Sequence, residues 1–333
     1  MAIKVGINGF GRIGRLVLRI GWEDPEIEFV AINDITTPAT LAHLLKYDTT
    51  HGIWDHDIKA SDDSITIDGV DVPIYAIRTP GDIPWSAHSA DIIVEATGLF
   101  RAREQAYKHI SAGAKKVLIS APGKDIDGAF IIGVNEKDYD KEMHEIISIG
   151  SCTTNGLVPV IKVLMDNFGV LNGLMTTIHA YTNDQRILDL PHKDLRRTRT
   201  AAANIIPTST GAYKMAQVLY PELKGKFYGI AVRVPVIDGS LIDLNIELSR
   251  DVTAEEINRA FKLASDGQLA GILEYCEDPI VSSDIVGNPH STIFDSLSTS
   301  VIGEKGKFAK LLTWYDNEYG FSNRMVDMLR MMI

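Results

Sequence analysis

Cysteine is nearly absent: the 333 residues contain two, Cys152 and Cys276. A disulfide-stapled scaffold is therefore excluded, and the count fits a protein kept in a reducing compartment. Long apolar runs are missing as well. Even residues 157–174, the most apolar stretch, are broken by Lys162, Asp166 and Asn167, well short of the roughly 20 apolar residues a membrane span needs. The first ten residues lack the regions of a secretory signal. Positive charge is in deficit, with 33 Lys and Arg against 44 Asp and Glu and a net charge of −11. A general nucleic-acid binder needs a basic face to displace counterions, so that class is excluded too. Net charge describes the whole surface, and a local basic pocket remains compatible with it. The expectation is a cytoplasmic protein with neither nucleic acid nor membrane as partner.

What is present is ordinary globular material, 45% hydrophobic and 23% charged, in a chain long enough for two domains. Short apolar runs at 3–7, 29–33, 91–95, 116–120, 130–133 and 146–148 alternate with helical stretches at 12–21, 40–46 and 103–111. That alternation predicts a Rossmann-type doubly wound parallel sheet. Residues 65–67 and 70–75 read as a hairpin around Asp68-Gly69. Near residue 150 the pattern changes. A helix at 153–167 and a strand at 174–179 precede long alternating runs at 228–234, 240–248 and 307–315, with helices at 213–219 and 254–265. These predict a second, α+β domain with a mainly antiparallel sheet. The Met-rich stripe of the last segment, 320–333, reads as core packing of a helix.

Three features carry chemistry. Gly9-Phe10-Gly11-Arg12-Ile13-Gly14 is a G-x-G-x-x-G between a strand and a helix, and Asp34 ends the next strand about 20 residues past Gly14. The first glycine permits the turn, the second lets backbone approach a pyrophosphate, the third lets helix pack on strand, and the acid accepts from a ribose. No Arg or Lys follows Asp34 closely (Ile35, Thr36 and Thr37 do), so NAD is favoured over NADP. Next, Cys152 stands at a strand end opening a helix among Ser151, Thr153, Thr154 and Asn155. There the dipole and free N–H groups favour a thiolate. Cys276 has no such setting and reads as structural.

Of the nine histidines, His179 ends an apolar strand and precedes a polar run, which suits a general base. His43, His51, His56, His88, His109 and His144 read as surface groups. The third feature is positive charge in unexpected places. Residues 193–199 concentrate it just before Pro207-Thr208-Ser209-Thr210-Gly211, while Arg233 sits inside an apolar strand. A buried arginine needs an anion, either a protein carboxylate or a substrate phosphate.

Together these motifs resemble the phosphorylating glyceraldehyde-3-phosphate dehydrogenase family over essentially the whole chain. The resemblance is carried by residues 7–15, by Ser151-Cys152-Thr153-Thr154-Asn155, by residues 179–185 and by Trp314-Tyr315-Asp316-Asn317-Glu318. It implies Cys152 as nucleophile and His179 as its base, acting through a thiohemiacetal and a thioester that inorganic phosphate cleaves. NAD would be held by Gly9, Gly11, Arg12, Ile13, Gly14, Asp34, Arg78, Ser120 and Asn317. The phosphates of glyceraldehyde 3-phosphate and of the attacking phosphate ion would be held by Ser151, Thr153, Thr182, Arg197, Thr210, Gly211 and Arg233. No metal is implied, and a homotetramer is. The expected division is an NAD-binding domain, 1–151 joined by a C-terminal helix at about 318–333, and a catalytic domain, 152–317.

The sequence departs from the family pattern in three places: Gly156 where a second cysteine is common, residues 235–240, and Tyr213 near Thr210-Gly211. Erythrose-4-phosphate dehydrogenase is the alternative within the same chemistry, and a non-catalytic binding or adhesion role is the alternative outside it.

Overall fold

The computed structural model describes residues 2–333. The chain divides into two compact units: one runs to Ser151 and takes back Ser322–Ile333, and the other is Cys152–Phe321.

Among the described residues, the first unit is built on a nine-stranded sheet. Seven strands run parallel, in the order Gly128–Ala129, Ile146–Ser148, Lys116–Ile119, Ile92–Glu95, Ile3–Asn8, Ile27–Asn33 and Val70–Tyr75. The antiparallel strands Ser64–Ile67 and Ile58–Ala60 complete one edge. All four residues of Ile92–Glu95 and of Lys116–Ile119 are buried, as continuous apolar strands in a covered parallel sheet should be. After the first strand the chain goes to the neighbour on one side (Ile27–Asn33) and later to the neighbour on the other (Ile92–Glu95). The order therefore reverses at the carboxyl end of Ile3–Asn8, where open α/β sheets bind their ligands. The hairpin forms as expected, with Asp68 and Gly69 at φ 50° and 85°, the left-handed pair of a tight turn.

One expected strand is absent. Phe130, Ile131 and Ile132 are buried, but the ladder covers only the preceding Gly128–Ala129 and ends where the Phe130 N–H donates to the Ser148 carbonyl at 2.9 Å. An apolar run that fills a core without a ladder is indistinguishable from a strand by pattern alone.

The second unit has a seven-stranded mixed sheet among the described residues. Its order is Ile206–Ser209, Phe227–Val234, Val170–Ala180, Ser240–Val252, Gly306–Tyr315, Thr292–Val301 and Leu273–Cys276. Two neighbouring pairs are parallel and the rest antiparallel. Helices Cys152–Phe168, Ala212–Leu219 and Ala254–Asp266 lie against it. Ile242, Leu244, Ile246 and Leu248 alternate along one strand, all fully buried, and mark the core face.

Thr292–Val301 escaped the sequence reading because serines and threonines interrupt its apolar pattern. Ser296 Oγ donates to the Cys276 carbonyl at 2.6 Å, and Thr292 pairs with Thr313. These bonds make the hydroxyls acceptable inside a core. Among the described residues no helix is long and apolar enough to cross a membrane.

Candidate active site

The glycine loop is shaped as its spacing predicts. Gly9 has φ 93°, and a Cβ there would come within 2.7 Å of the Thr97 nitrogen. A Cβ on Gly14 would meet the Gly9 carbonyl at 2.3 Å, so the helix Arg12–Gly21 can lie this close to the strand only without one. Gly11, the N-cap, has nothing within 4 Å of its missing Cβ. Space at a helix N-terminus is what a pyrophosphate requires.

A cavity of about 310 Å³ opens here, lined by residues that include Gly9, Gly11, Asn33, Asp34, Arg78 and Thr97. Asp34 Oδ2 accepts the Phe10 N–H at 2.8 Å, which ties the loop to the second strand end. The open Gly11 N-cap and the Asp34 carboxylate are what the pyrophosphate and a ribose of a dinucleotide need. Ile13 lies on the first turn of the helix, and Ser120 directly follows a strand of the same sheet edge, its N–H donating to the Glu95 carbonyl at 3.0 Å. Arg12 pairs with Asp48. Burial opposes ionisation of that carboxyl, but bonds from Arg12, His51 and Thr50 outweigh it and hold the acid down at about 2.

Beneath the cavity lies a polar network that the sequence reading missed. His109 is fully buried, contrary to its reading as a surface group. Its Nδ1 accepts from Trp85 Nε1 at 2.9 Å, and its Nε2 lies 3.0 Å from Glu95 Oε2. An indole can only donate, so the imidazole proton sits on Nε2 and points at the carboxylate. Glu95 also accepts from Asn8 Nδ2 and from the Thr97 N–H. Both of those residues line the cavity.

In the second unit Cys152 opens the helix Cys152–Phe168, and His179 lies near the end of Val170–Ala180. Their side chains meet, with Sγ 3.4 Å from Nε2. The Ala180 carbonyl, which can only accept, is 2.7 Å from Nδ1. Arg233 Nη1, which can only donate, also lies 2.8 Å from Nδ1, so that nitrogen sits between an acceptor and a donor while Nε2 faces the thiol. Arg233 stands opposite His179 in the adjacent parallel strand, and its Nη1 donates to the same carbonyl at 3.0 Å. Burial pushes the Cys152 thiol up, with Arg233 opposing. Burial and Arg233 together hold His179 neutral down to about 3. Either charge alone is disfavoured in this site. A proton moving from Sγ to Nε2 creates both at once, each the other's partner.

Behind the pair, Tyr315 Oη is 2.9 Å from Thr153 Oγ1 and 2.8 Å from Thr177 Oγ1, its ring edge-on to His179. Gly156 packs against this ring, 3.1 Å from where a Cβ would stand. The family's second cysteine would therefore press on Tyr315.

Arg197 and Arg233, the arginines expected to bind anions, are both half-buried. Arg197 pairs with Asp184 and with Asp194. Burial, reinforced by Arg233, lowers its pKa. Three buried polar atoms here have no partner among the described residues: Arg233 Nε, Gln185 Nε2 and Thr208 Oγ1. Gln185 was missed as a candidate, and Thr208 was noted only as part of the hydroxyl run 207–211; unsatisfied buried polar atoms are the signal, and sequence does not display them. Gln185 is local to Thr182, whose N–H donates to Gln185 Oε1 at 3.3 Å. Thr210 and Gly211 lead into the helix Ala212–Leu219, and Thr210 Oγ1 accepts the Ala212 N–H at 3.2 Å. Tyr213 turns toward Tyr228, with ring centroids 6.0 Å apart. Asn317 and Ser151 are half to fully buried. In the divergent segment, Asp238 is buried beside Asp316, and burial with that like charge raises its carboxyl to about 9.

Comparison with known proteins settles which family uses this arrangement. Residues 3–103 match the family model described as the glyceraldehyde 3-phosphate dehydrogenase NAD binding domain, and residues 151–317 match the model of its C-terminal domain. The chain belongs to the glyceraldehyde-3-phosphate dehydrogenase family. It is 56% identical over 329 residues to glyceraldehyde-3-phosphate dehydrogenase 2 of Streptomyces avermitilis, covering 98% of both chains. It is 53% identical to the Geobacillus stearothermophilus enzyme over 328 residues, 98% of this chain and 97% of that one. It is 52% identical to glyceraldehyde-3-phosphate dehydrogenase 2 of Bacillus subtilis over 330 residues, 99% and 96%. Both predicted sheets are those of this dehydrogenase family.

Proposed function

We propose that the chain oxidises D-glyceraldehyde 3-phosphate and phosphorylates it to 1,3-bisphosphoglycerate, using NAD, with Cys152 as nucleophile. The observation that carries the mechanism is the 3.4 Å approach of Cys152 Sγ to His179 Nε2 at a helix N-terminus. Sγ adds to the aldehyde carbon while its proton passes through His179 to the former carbonyl oxygen, giving a thiohemiacetal. The Cys152 N–H and His179 face the charge that develops on that oxygen. His179 then withdraws the hydroxyl proton as hydride leaves the same carbon, and a thioester remains on Cys152. Bound NAD supplies the hydride acceptor. A phosphate oxygen attacks the thioester, the carbon–sulfur bond breaks, and Sγ recovers its proton from His179.

The NAD residues are those named from the resemblance, with Gly9, Gly11, Asp34 and Arg78 supported by the cavity they line. Arg233, with its unpartnered buried Nε, and Arg197 hold the two phosphates, assisted by Ser151, Thr153, Thr182, Thr210 and Gly211. Residues 1–151 with the last helix are read as the NAD domain and 152–317 as the catalytic domain. A homotetramer is supported by exposed Leu174, Tyr228, Ile230 and Phe308 on the sheet face opposite the buried one, since such patches mark association sites. Two free cysteines support the cytoplasm.

The test is NADH formation from the triose phosphate, and from erythrose 4-phosphate, with and without inorganic phosphate. Steady turnover is expected only with phosphate and best with the triose, and it should vanish in Cys152→Ser but survive in Cys276→Ser. Phosphate-independent turnover overturns the acyl-phosphate route, and an active Cys152→Ser overturns the nucleophile.

A further inference from the structure

Asn317 and Ala180, the residue after His179, are joined by a hydroxyl to which the mechanism above gives no role. Ser240 opens the strand Ser240–Val252 opposite Tyr315 and is buried to 1% exposure. Its Oγ accepts the N–H of Ala180, the residue after His179, at 3.1 Å, and donates its proton to Asn317 Oδ1 at 2.6 Å.

The direction of this relay is chemically fixed. A backbone N–H can only donate, so Ser240 Oγ must accept there. A buried hydroxyl proton then needs an acceptor of its own, and among the described residues Asn317 Oδ1 is the one it has. Commitment of Oδ1 to Ser240 decides which way the carboxamide faces. The amide oxygen points back into the protein, and Nδ2, which makes no hydrogen bond among the described residues, is the end left for a ligand. The serine on its own contacts nothing reactive. It acts through Asn317 and through the strand end that carries the proposed base.

Resting on the reading of Asn317 as an NAD contact, which beside the strand end that carries His179 is a contact to the ring that takes the hydride, we infer that Ser240 is a positioning residue that fixes the flip of the Asn317 amide, so that Nδ2 donates to the carboxamide oxygen of the nicotinamide and only one face of that ring receives hydride. The carboxamide is the ring's asymmetric handle. With the Asn317 donor oriented, rotating the ring by half a turn breaks the bond. With Asn317 free to flip, either end of the amide meets either end of the carboxamide, and the two ring orientations become comparable. Ser240 therefore acts on cofactor affinity and on the face of transfer more than on thiol chemistry.

The experiment compares Ser240→Ala, Ser240→Cys (same shape, weak donor), Ser240→Thr (hydroxyl kept), Asn317→Ala and the Ser240→Ala/Asn317→Ala double variant in the full-length enzyme. Each is assayed for KM of NAD, for kcat, and for the position of deuterium at C4 of NADH formed from 1-deuterated glyceraldehyde 3-phosphate, read by proton NMR. Losing one neutral hydrogen bond is expected to raise KM by roughly three- to tenfold. Deuterium should appear on the second face in Ser240→Ala and Ser240→Cys, and Ser240→Thr should restore the single face. In the double variant Ser240→Ala should add nothing to Asn317→Ala, because it acts through that residue.

If Asn317→Ala changes neither KM nor the face of transfer, the reading of Asn317 falls and the inference with it. If Asn317→Ala changes them while the serine variants keep one face, or if the two effects add, the inference alone is overturned. A merely structural serine would lower stability without moving deuterium between faces.

Discussion

At the scale of single residues, the central pair shows what sequence can and cannot deliver. The surroundings of Cys152 were legible because a strand end, hydroxyl residues and a helix start are all local. That His179 would meet it came only from the resemblance, because the meeting depends on strands far apart in the chain. Residues 170–180 lie between the strands 227–234 and 240–252, which sets Arg233 beside the imidazole. His109 failed for the same reason: its neighbours in sequence are polar, and its partners Trp85 and Glu95 are not near it in sequence. Arg233, by contrast, was legible, since a charge in an apolar strand is anomalous wherever the strand lies.

The burial of His179 has a consequence for stability. Its folded pKa of about 3 lies below the 6.5 of an exposed histidine, so the folded protein resists a proton that the unfolded chain accepts. The stability from this residue is fully present above pH 6.5 and is lost as pH falls toward 3. At pH 5 the loss is about 2 kcal/mol. Thermal unfolding of the ligand-free protein at pH 7 and pH 5 should therefore show a smaller drop for His179→Asn than for the parent. Equal drops would mean that His179 takes up its proton in the folded state.

At the scale of elements, the glycine loop separates two roles that the motif merges. Gly14 is required by the fold, because its Cβ would meet the Gly9 carbonyl at 2.3 Å, whereas Gly11 faces open space. Gly14→Ala is expected to lower the melting temperature of the ligand-free protein. Gly11→Ala should leave it nearly unchanged while weakening NAD binding at least tenfold in a calorimetric titration, as a methyl group occupying the space of a pyrophosphate oxygen would. Equal NAD affinity in Gly11→Ala would deny the loop its role.

Elements were legible where periodicity and partner agreed, as in the helix Arg12–Gly21 and the hairpin at Asp68-Gly69. They were lost where it misled. Residues 130–132 are apolar and buried yet lie past the end of the ladder, while Thr292–Val301 is paired and polar in pattern because its hydroxyls bond to neighbouring strands.

At the scale of the whole molecule, the net charge of −11 coexists with Arg197 and Arg233, both half-buried and proposed to meet anions. Net charge argued against nucleic acid as a partner class and was uninformative about the phosphates that the two guanidinium groups are proposed to hold. The uncovered face of the seven-stranded sheet is the other large-scale feature. Replacing Tyr228 and Ile230, each about half exposed, by aspartate should split the proposed tetramer, because like charges would face each other across the patch proposed to self-associate. Light scattering after size exclusion reads this directly, and an unchanged mass would move the interface elsewhere.

The account as a whole stands on a covalent acyl group at Cys152. Mixing the enzyme with glyceraldehyde 3-phosphate and NAD in the absence of phosphate, quenching in acid and sequencing the peptides by mass spectrometry should find one phosphoglyceroyl group, on Cys152, that disappears when phosphate is added before the quench. An unmodified Cys152 under those conditions, or an acyl group on any other residue, would contradict it.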